Sequence, residues 1–368
     1  MLDVDREMDG LSSMQEVLQR HLRLIVEACK NLQPNLTAVI LYGGFGRDEG
    51  SWLQDSDGTW RPYNDYDICI VTDQKAPAHE VKALEKSLAQ EIGINWIDLS
   101  QLSPDEMKRL RLSIKNYDFK NASKVIYGDK TVLDRIPAMD ASTLPMKEAQ
   151  ILYFTRLYTL LGSLDENGLD QNLGDEPSRF FRNQMAKAIL AIVDVLLLAK
   201  GAYDASYCRR VERVVQLYPE KKELIELSRW AHGERLRPQA PDMNSRQARR
   251  MYQSVHGHYF SEMYRALSLH FAKRIDGPQD VEFCMKWLPL NLLKRFYWLL
   301  KFRSLRAEKQ VSLMLAQSYL AAAWAPDRIN EKFLRQGLAL LRRLDDRLST
   351  ESTWDQARLE AARLRTEL

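Results

Sequence analysis

Leu41-Tyr-Gly-Gly-Phe-Gly-Arg-Asp-Glu-Gly-Ser51, followed by Asn64-Asp-Tyr-Asp-Ile-Cys-Ile-Val71, decides how this chain is read. The apolar run from Thr37 to Tyr42 predicts a buried strand. It breaks into Gly43 and Gly44, where the missing Cβ lets a backbone turn sharply and approach a ligand. The second apolar run, Tyr66 to Val71, carries Asp65 and Asp67 two positions apart. Residues two apart on a strand project to the same side. Neighbouring carboxylates repel and raise a pKa unless something neutralises them. Ligation by oxygen alone suits magnesium.

In this order (strand, Gly-Gly turn, Asp-x-Asp on the next strand) the residues resemble the nucleotidyltransferase superfamily typified by polymerase β. Gly43, Gly44, Asp65 and Asp67 stand at its motif positions. The resemblance implies an α+β fold class. An N-terminal nucleotidyltransferase domain over residues 1–140, a mixed sheet flanked by helices, would precede an all-helical acceptor- or partner-binding domain over 146–368. It further implies transfer of an NMP from an NTP to a hydroxyl acceptor, with release of pyrophosphate. Mg2+ or Mn2+ would be held by Asp65, Asp67 and a third carboxylate. The superfamily takes that third group from a following strand. Gly93-Ile-Asn-Trp-Ile-Asp-Leu-Ser100 reads as one, so Asp98 is the matching residue; a residue starting a turn is its plain alternative. Asp73 and Asp118 are the next choices.

The chain departs from the pattern twice. Gly44 stands where many members carry serine, so a hydroxyl contact to the terminal phosphates is missing. Twenty-one positions separate Gly44 from Asp65, more than is usual in the superfamily. The extra length reads as a hairpin turning at Asp57-Gly58 between Trp52 and Trp60. A short helix is expected from about Arg47, its free N–H groups and dipole facing phosphates. Arg47 would then contact the nucleotide or stand as a solvated helix-surface arginine. Glu49 reads as surface.

The 368 residues suffice for two domains. Lys and Arg total 53 against 50 Asp and Glu, a net charge of +3, which does not describe a dedicated nucleic-acid binder. A small molecule or a protein is therefore the expected acceptor. Cys29, Cys69, Cys208 and Cys284 are scattered without zinc spacing, which fits reduced thiols in the cytoplasm. The first residues are acidic and lack a secretory apolar core. The most apolar window, Ala186 to Ala199, is too short for a bilayer and contains Asp194.

A helix over Ser12 to Leu32 precedes the first strand, and Ala78 to Gln90 is amphipathic. Ser103-Pro-Asp-Glu106 is a helix N-cap signature, and Lys124 to Gly128 reads as a closing strand. Pro137 to Pro145 is the expected linker. Beyond it only helices are read, near 150–164, 205–217, 221–231, 245–272, 288–303 and 307–324. The strongest stripes are Ala186 to Leu197 and Leu334 to Leu348. Arg179, Arg182 and Lys187 could reach an anionic substrate or form a solvated face; Arg209, Arg210 and Arg213 read as surface. Arg250 and His256 fit the loose Arg-x(4–6)-His pattern of the HEPN ribonucleases. Two other readings stand beside nucleotidyl transfer to an acceptor: a non-catalytic nucleotide- or partner-binding protein, and a synthase of second-messenger nucleotides.

Overall fold

Apolar side chains at every position from Ala38 to Leu41 leave β1 (Ala38–Tyr42) no face for water, and it lies inside a four-stranded sheet of order β5-β4-β1-β6. β1 runs antiparallel to β4 (Tyr66–Val71) and to β6 (Lys124–Gly128). β4 and β5 (Ile97–Leu102) are parallel, a pairing that needs a crossover, which α3 (Ala78–Ile92) provides. The computed structural model describes residues 2–164, 169, 172–287, 306–326, 328–345 and 348–367. The helix expected near 288–303 falls outside them.

The strand alternation sorts the core onto two faces. Val39, Leu41, Tyr66, Ile68, Ile97 and Leu99 pack toward α1 (Leu2–Leu32) and α3. Ala38, Ile40, Cys69 and Val71 face Met107, Phe119 and Val132 on the other side. Within α1, His21 Nδ1 lies 3.0 Å from the Tyr66 hydroxyl, and burial pushes its pKa down to about 4. The expected hairpin is present as β2 (Trp52–Gln54) paired with β3 (Trp60–Pro62). Ser103 and Glu106 form a reciprocal capping box on α4 (Pro104–Lys108). A helix not read from the sequence, α5 (Ile114–Asn121), starts at Ser113, whose side chain accepts from Asn116 N.

The chain divides into two compact units, the first made of Met1–Leu144, Gly201–Arg213 and His232–Pro238, the second of Pro145–Lys200, Val214–Ala231 and Gln239–Leu368. The fold class is α+β. Among the described residues all strands of the sheet lie in the first unit, and the second has only an isolated bridge between Leu173 and Met243. Its helices are α6 (Lys147–Leu161), α7 (Asp175–Leu198), α10 (Ser245–Phe271), α11 (Pro278–Trp287), α12 (Arg306–Ala323), α13 (Glu331–Leu341) and α14 (Trp354–Glu367). α8 (Tyr207–Leu217) begins in the first unit and α9 (Lys222–Leu236) ends in it. α7 is buried nearly all round along its second half and packs against α6 and α10. The Leu334 stripe is shorter than its sequence suggests: the helix ends at Leu341, and Leu344 lies in the turn that follows. No helix among the described residues is long and apolar enough to cross a membrane.

Candidate functional site

The strand registers place the acidic residues side by side. Tyr42 on β1 stands opposite Asp67 on β4, and Asp67 opposite Asp98 on β5. Asp65, exposed, immediately precedes β4. Asp67 is partly buried, and that burial pushes its carboxyl up to about 7, with the charges of Asp65 and Asp98 adding to the effect. Asp98 is raised above the ordinary carboxylate range by burial, by Glu85 and by Asp65. Arg47 and Lys115 pull the other way on Asp67, but neither forms an ion pair with it. Behind the strand, buried Glu85 accepts from Leu99 N at 3.0 Å and pairs with Lys82 at 2.8 Å.

The glycine turn meets these carboxylates directly. Gly43 has φ +66°, and a Cβ on it would fall 1.8 Å from Asp67 Oδ2. Only a residue without a side chain can occupy that position while Asp67 keeps its place. A Cβ at Gly44 would stand 3.3 Å from the Glu49 carbonyl oxygen, so the turn leaves little room for the serine of the motif.

The helical segment is the single turn α2 (Gly43–Gly46), and Arg47 closes it instead of opening a helix. Beyond Arg47 the chain enters the left-handed region at Asp48, φ +62°, which ends helical hydrogen bonding. A four-residue turn carries little macrodipole, so the expected dipole attraction for phosphate is not built here. The Arg47 side chain is drawn into the interior of the unit. Its Nε donates to Glu49 at 3.2 Å, its Nη1 lies 3.8 Å from Asp118, and its guanidinium covers the Tyr207 ring at 4.7 Å.

Glu49 is thereby corrected from surface to anchor. Its carboxylate accepts from Ser206 Oγ at 2.8 Å, Tyr207 N at 3.0 Å and Cys208 N at 3.1 Å, capping the start of α8. Arg210 is likewise corrected: it is 1 % exposed, donates to Asp118 at 2.9 Å, and stacks on Tyr203 and Tyr207. Asp118 also accepts from the Tyr203 hydroxyl at 3.1 Å, so this fallback carboxylate serves a buried arginine. Arg209 is exposed as read, and Arg213 pairs with Asp204 at 2.8 Å. Asp73 is exposed beyond the end of β4. Near Asp65, the Asn64 amide, oriented to satisfy its neighbours, accepts from Arg235 Nη2 at 2.6 Å and from Ser51 Oγ at 3.0 Å. Glu49, Arg210 and Arg235 act through partners far away in sequence, which no local pattern reveals.

Arg182 and Lys187 belong to the second unit, where the Arg182 guanidinium lies over the Trp230 ring at 5.4 Å. His256 is a packing residue. Its Nε2 lies 2.8 Å from the Ala321 carbonyl oxygen, its ring contacts Tyr252, Phe260 and Trp324, and burial pushes its pKa down to about 4. The ring is held by packing on three aromatic neighbours and by its contact with a backbone carbonyl.

The donor chemistry of Asp65, Asp67 and Asp98 fits a hard divalent cation: oxygen ligands only, with no ion-paired counter-charge among the described residues. Those residues include no gathered set of three His, Cys, Asp or Glu side chains. Magnesium is commonly held by one or two carboxylates, with phosphates and water completing its octahedron. No protein-family model matches the chain, and no curated protein matches it.

Proposed function

We propose that the first unit is a polymerase β-like nucleotidyltransferase domain that moves an NMP from an NTP to a hydroxyl acceptor and releases pyrophosphate. The observation that carries this reading is the Asp67 carboxyl, set against the Gly43 backbone, in register with Asp98 and held near neutrality. Asp65 and Asp67, with Asp98 beside them, would hold Mg2+ or Mn2+, which supplies charge neutralisation for the carboxylates and phosphates. Gly43, lacking a Cβ, leaves the room in which the Asp67 carboxylate lies against the turn. In this reading Asp98, whose proton affinity is raised by burial, accepts the proton of the attacking hydroxyl at a carboxylate oxygen. Arg47 contributes positive potential to the carboxylate cluster while staying tied to Glu49 and Asp118. The test is incubation with each α-labelled NTP, Mg2+ or Mn2+ and cell extract. Label should pass to an acceptor, a small molecule or a protein, with wild type and not with Asp67→Asn. Equal transfer by both proteins overturns the reading.

A second reading, a nucleotide- or partner-binding protein without turnover, draws on the engaged Arg47 head and the hydroxyl missing at Gly44. It predicts Mg2+-dependent NTP binding without pyrophosphate release. A second-messenger synthase would instead form oligonucleotides from NTP alone.

A further inference from the structure

A cavity of about 410 Å³ lies in the helical unit, lined by residues of α6, α12 and α14. Ile151, Phe154, Leu313 and Met314 make its walls apolar, and Gln317 and Arg365 are its polar groups of interest. Gln317 is 1 % exposed, yet its Nε2 has no acceptor. A donor in that state has lost its water without gaining a partner. Arg365 is exposed and lies over the Tyr158 ring at 4.4 Å. Among the described residues it forms no ion pair, and Arg156 stands close enough to oppose its charge. The Nε of Arg156 is itself buried without an acceptor. The wall thus offers a buried donor, Gln317 Nε2, without an acceptor and a guanidinium, Arg365, without an ion-pair partner among the described residues.

We propose that this cavity is a binding site for a small organic anion with an apolar body. The carbon skeleton packs on Ile151, Phe154, Leu313 and Met314, while oxygen atoms of the ligand accept from Gln317 Nε2 and the Arg365 guanidinium. A carboxylate and a phosphate monoester share this chemistry. The site lies within the second unit and stands independently of the carboxylate cluster on the sheet.

Isothermal titration of the full-length protein with decanoate, decyl phosphate and decanol, each below its aggregation threshold, tests the proposal. At least one anion should bind about tenfold or more tightly than decanol, and which one does identifies the head group. Arg365→Gln and Gln317→Leu should each weaken that anion by about tenfold while leaving the circular dichroism unchanged. Gln317→Leu should also melt no lower than wild type, since it removes an orphaned donor. Asp67→Asn should bind the anion as wild type does, which separates this site from the proposed transfer activity. Binding of decanol as tight as that of the anions, no binding at all, or an affinity unchanged in either variant overturns the proposal and leaves a water-filled crevice.

Discussion

Gly43 and Asp67 occupy one space: a Cβ on the glycine would lie 1.8 Å from the carboxylate oxygen of the aspartate. The turn and the acidic strand are therefore a single construction, and a change in either displaces the other. Gly43→Ala is expected to lose label transfer from NTP. It should also destabilise the protein by about 1–3 kcal/mol, because alanine is strained at φ +66°. Thermal unfolding and the transfer assay check the two effects; an alanine variant with wild-type activity would remove the claim that the turn places the carboxylate.

Asp67 gives a pH signature. Its folded pKa of about 7 is above the ordinary aspartate value of 3.8, so between those values the folded state binds more protons than the unfolded one. Stability contributed by the protonated form is full at low pH and is lost as pH rises toward 7. In metal-free buffer at pH 8, Asp67→Asn should be more stable than wild type, by up to about 4 kcal/mol. Below pH 4 the two should agree. Added Mg2+ should raise the wild-type Tm and leave that of the variant unchanged. Equal stability of the two proteins at pH 8 contradicts the upward push that burial exerts on the Asp67 carboxyl.

Asp118→Asn removes the carboxylate that accepts from Arg210, which is 1 % exposed. Removing the carboxylate partner of a buried cation costs up to about 3–5 kcal/mol. Urea unfolding should show a loss of that order. Adding Arg210→Met to the same protein should recover part of it. A loss below about 1 kcal/mol would mean that the pair behaves as a surface ion pair.

His256 works in the opposite direction on the acid side. Its pKa of about 4 lies below the ordinary histidine value of 6.5, so in that interval the unfolded chain takes up the proton first. Stability is therefore present above pH 6.5 and falls toward pH 4, by about 3 kcal/mol from this residue. His256→Phe should flatten that limb in a pH series of melting curves. No metal-independent RNA cleavage should be detected in either protein.

Local chemistry made the scaffold of the candidate site readable before the structure. Val39 to Leu41, the Gly43-Gly44 break, the hairpin near Gly58, the Ser103 cap and Lys124 to Gly128 all act through neighbours in sequence. The misreadings have equally physical causes. No helix is read between 272 and 288, yet Pro278 opens α11 at a position where its missing N–H costs nothing. The Leu334 stripe keeps its period past Leu341, where the backbone has already turned. Arg47, Glu49 and Arg210 look like solvated charges because the groups that bury them are remote: Glu49 meets residues 206–208. No window of a dozen residues contains that information.

The anchoring of Glu49 by residues 206–208 also bears on synthesis at the ribosome. The sheet can pair once Gly128 has emerged, but Glu49 and Asp118 must wait for the stretch through Arg210, more than eighty residues later. The nascent chain thus carries its acidic strand and glycine turn for many seconds, at roughly 5–20 residues per second, before the clasp closes. An excised fragment ending at Leu144 would hold permanently that unclasped form, a sheet whose glycine turn has lost its fastening.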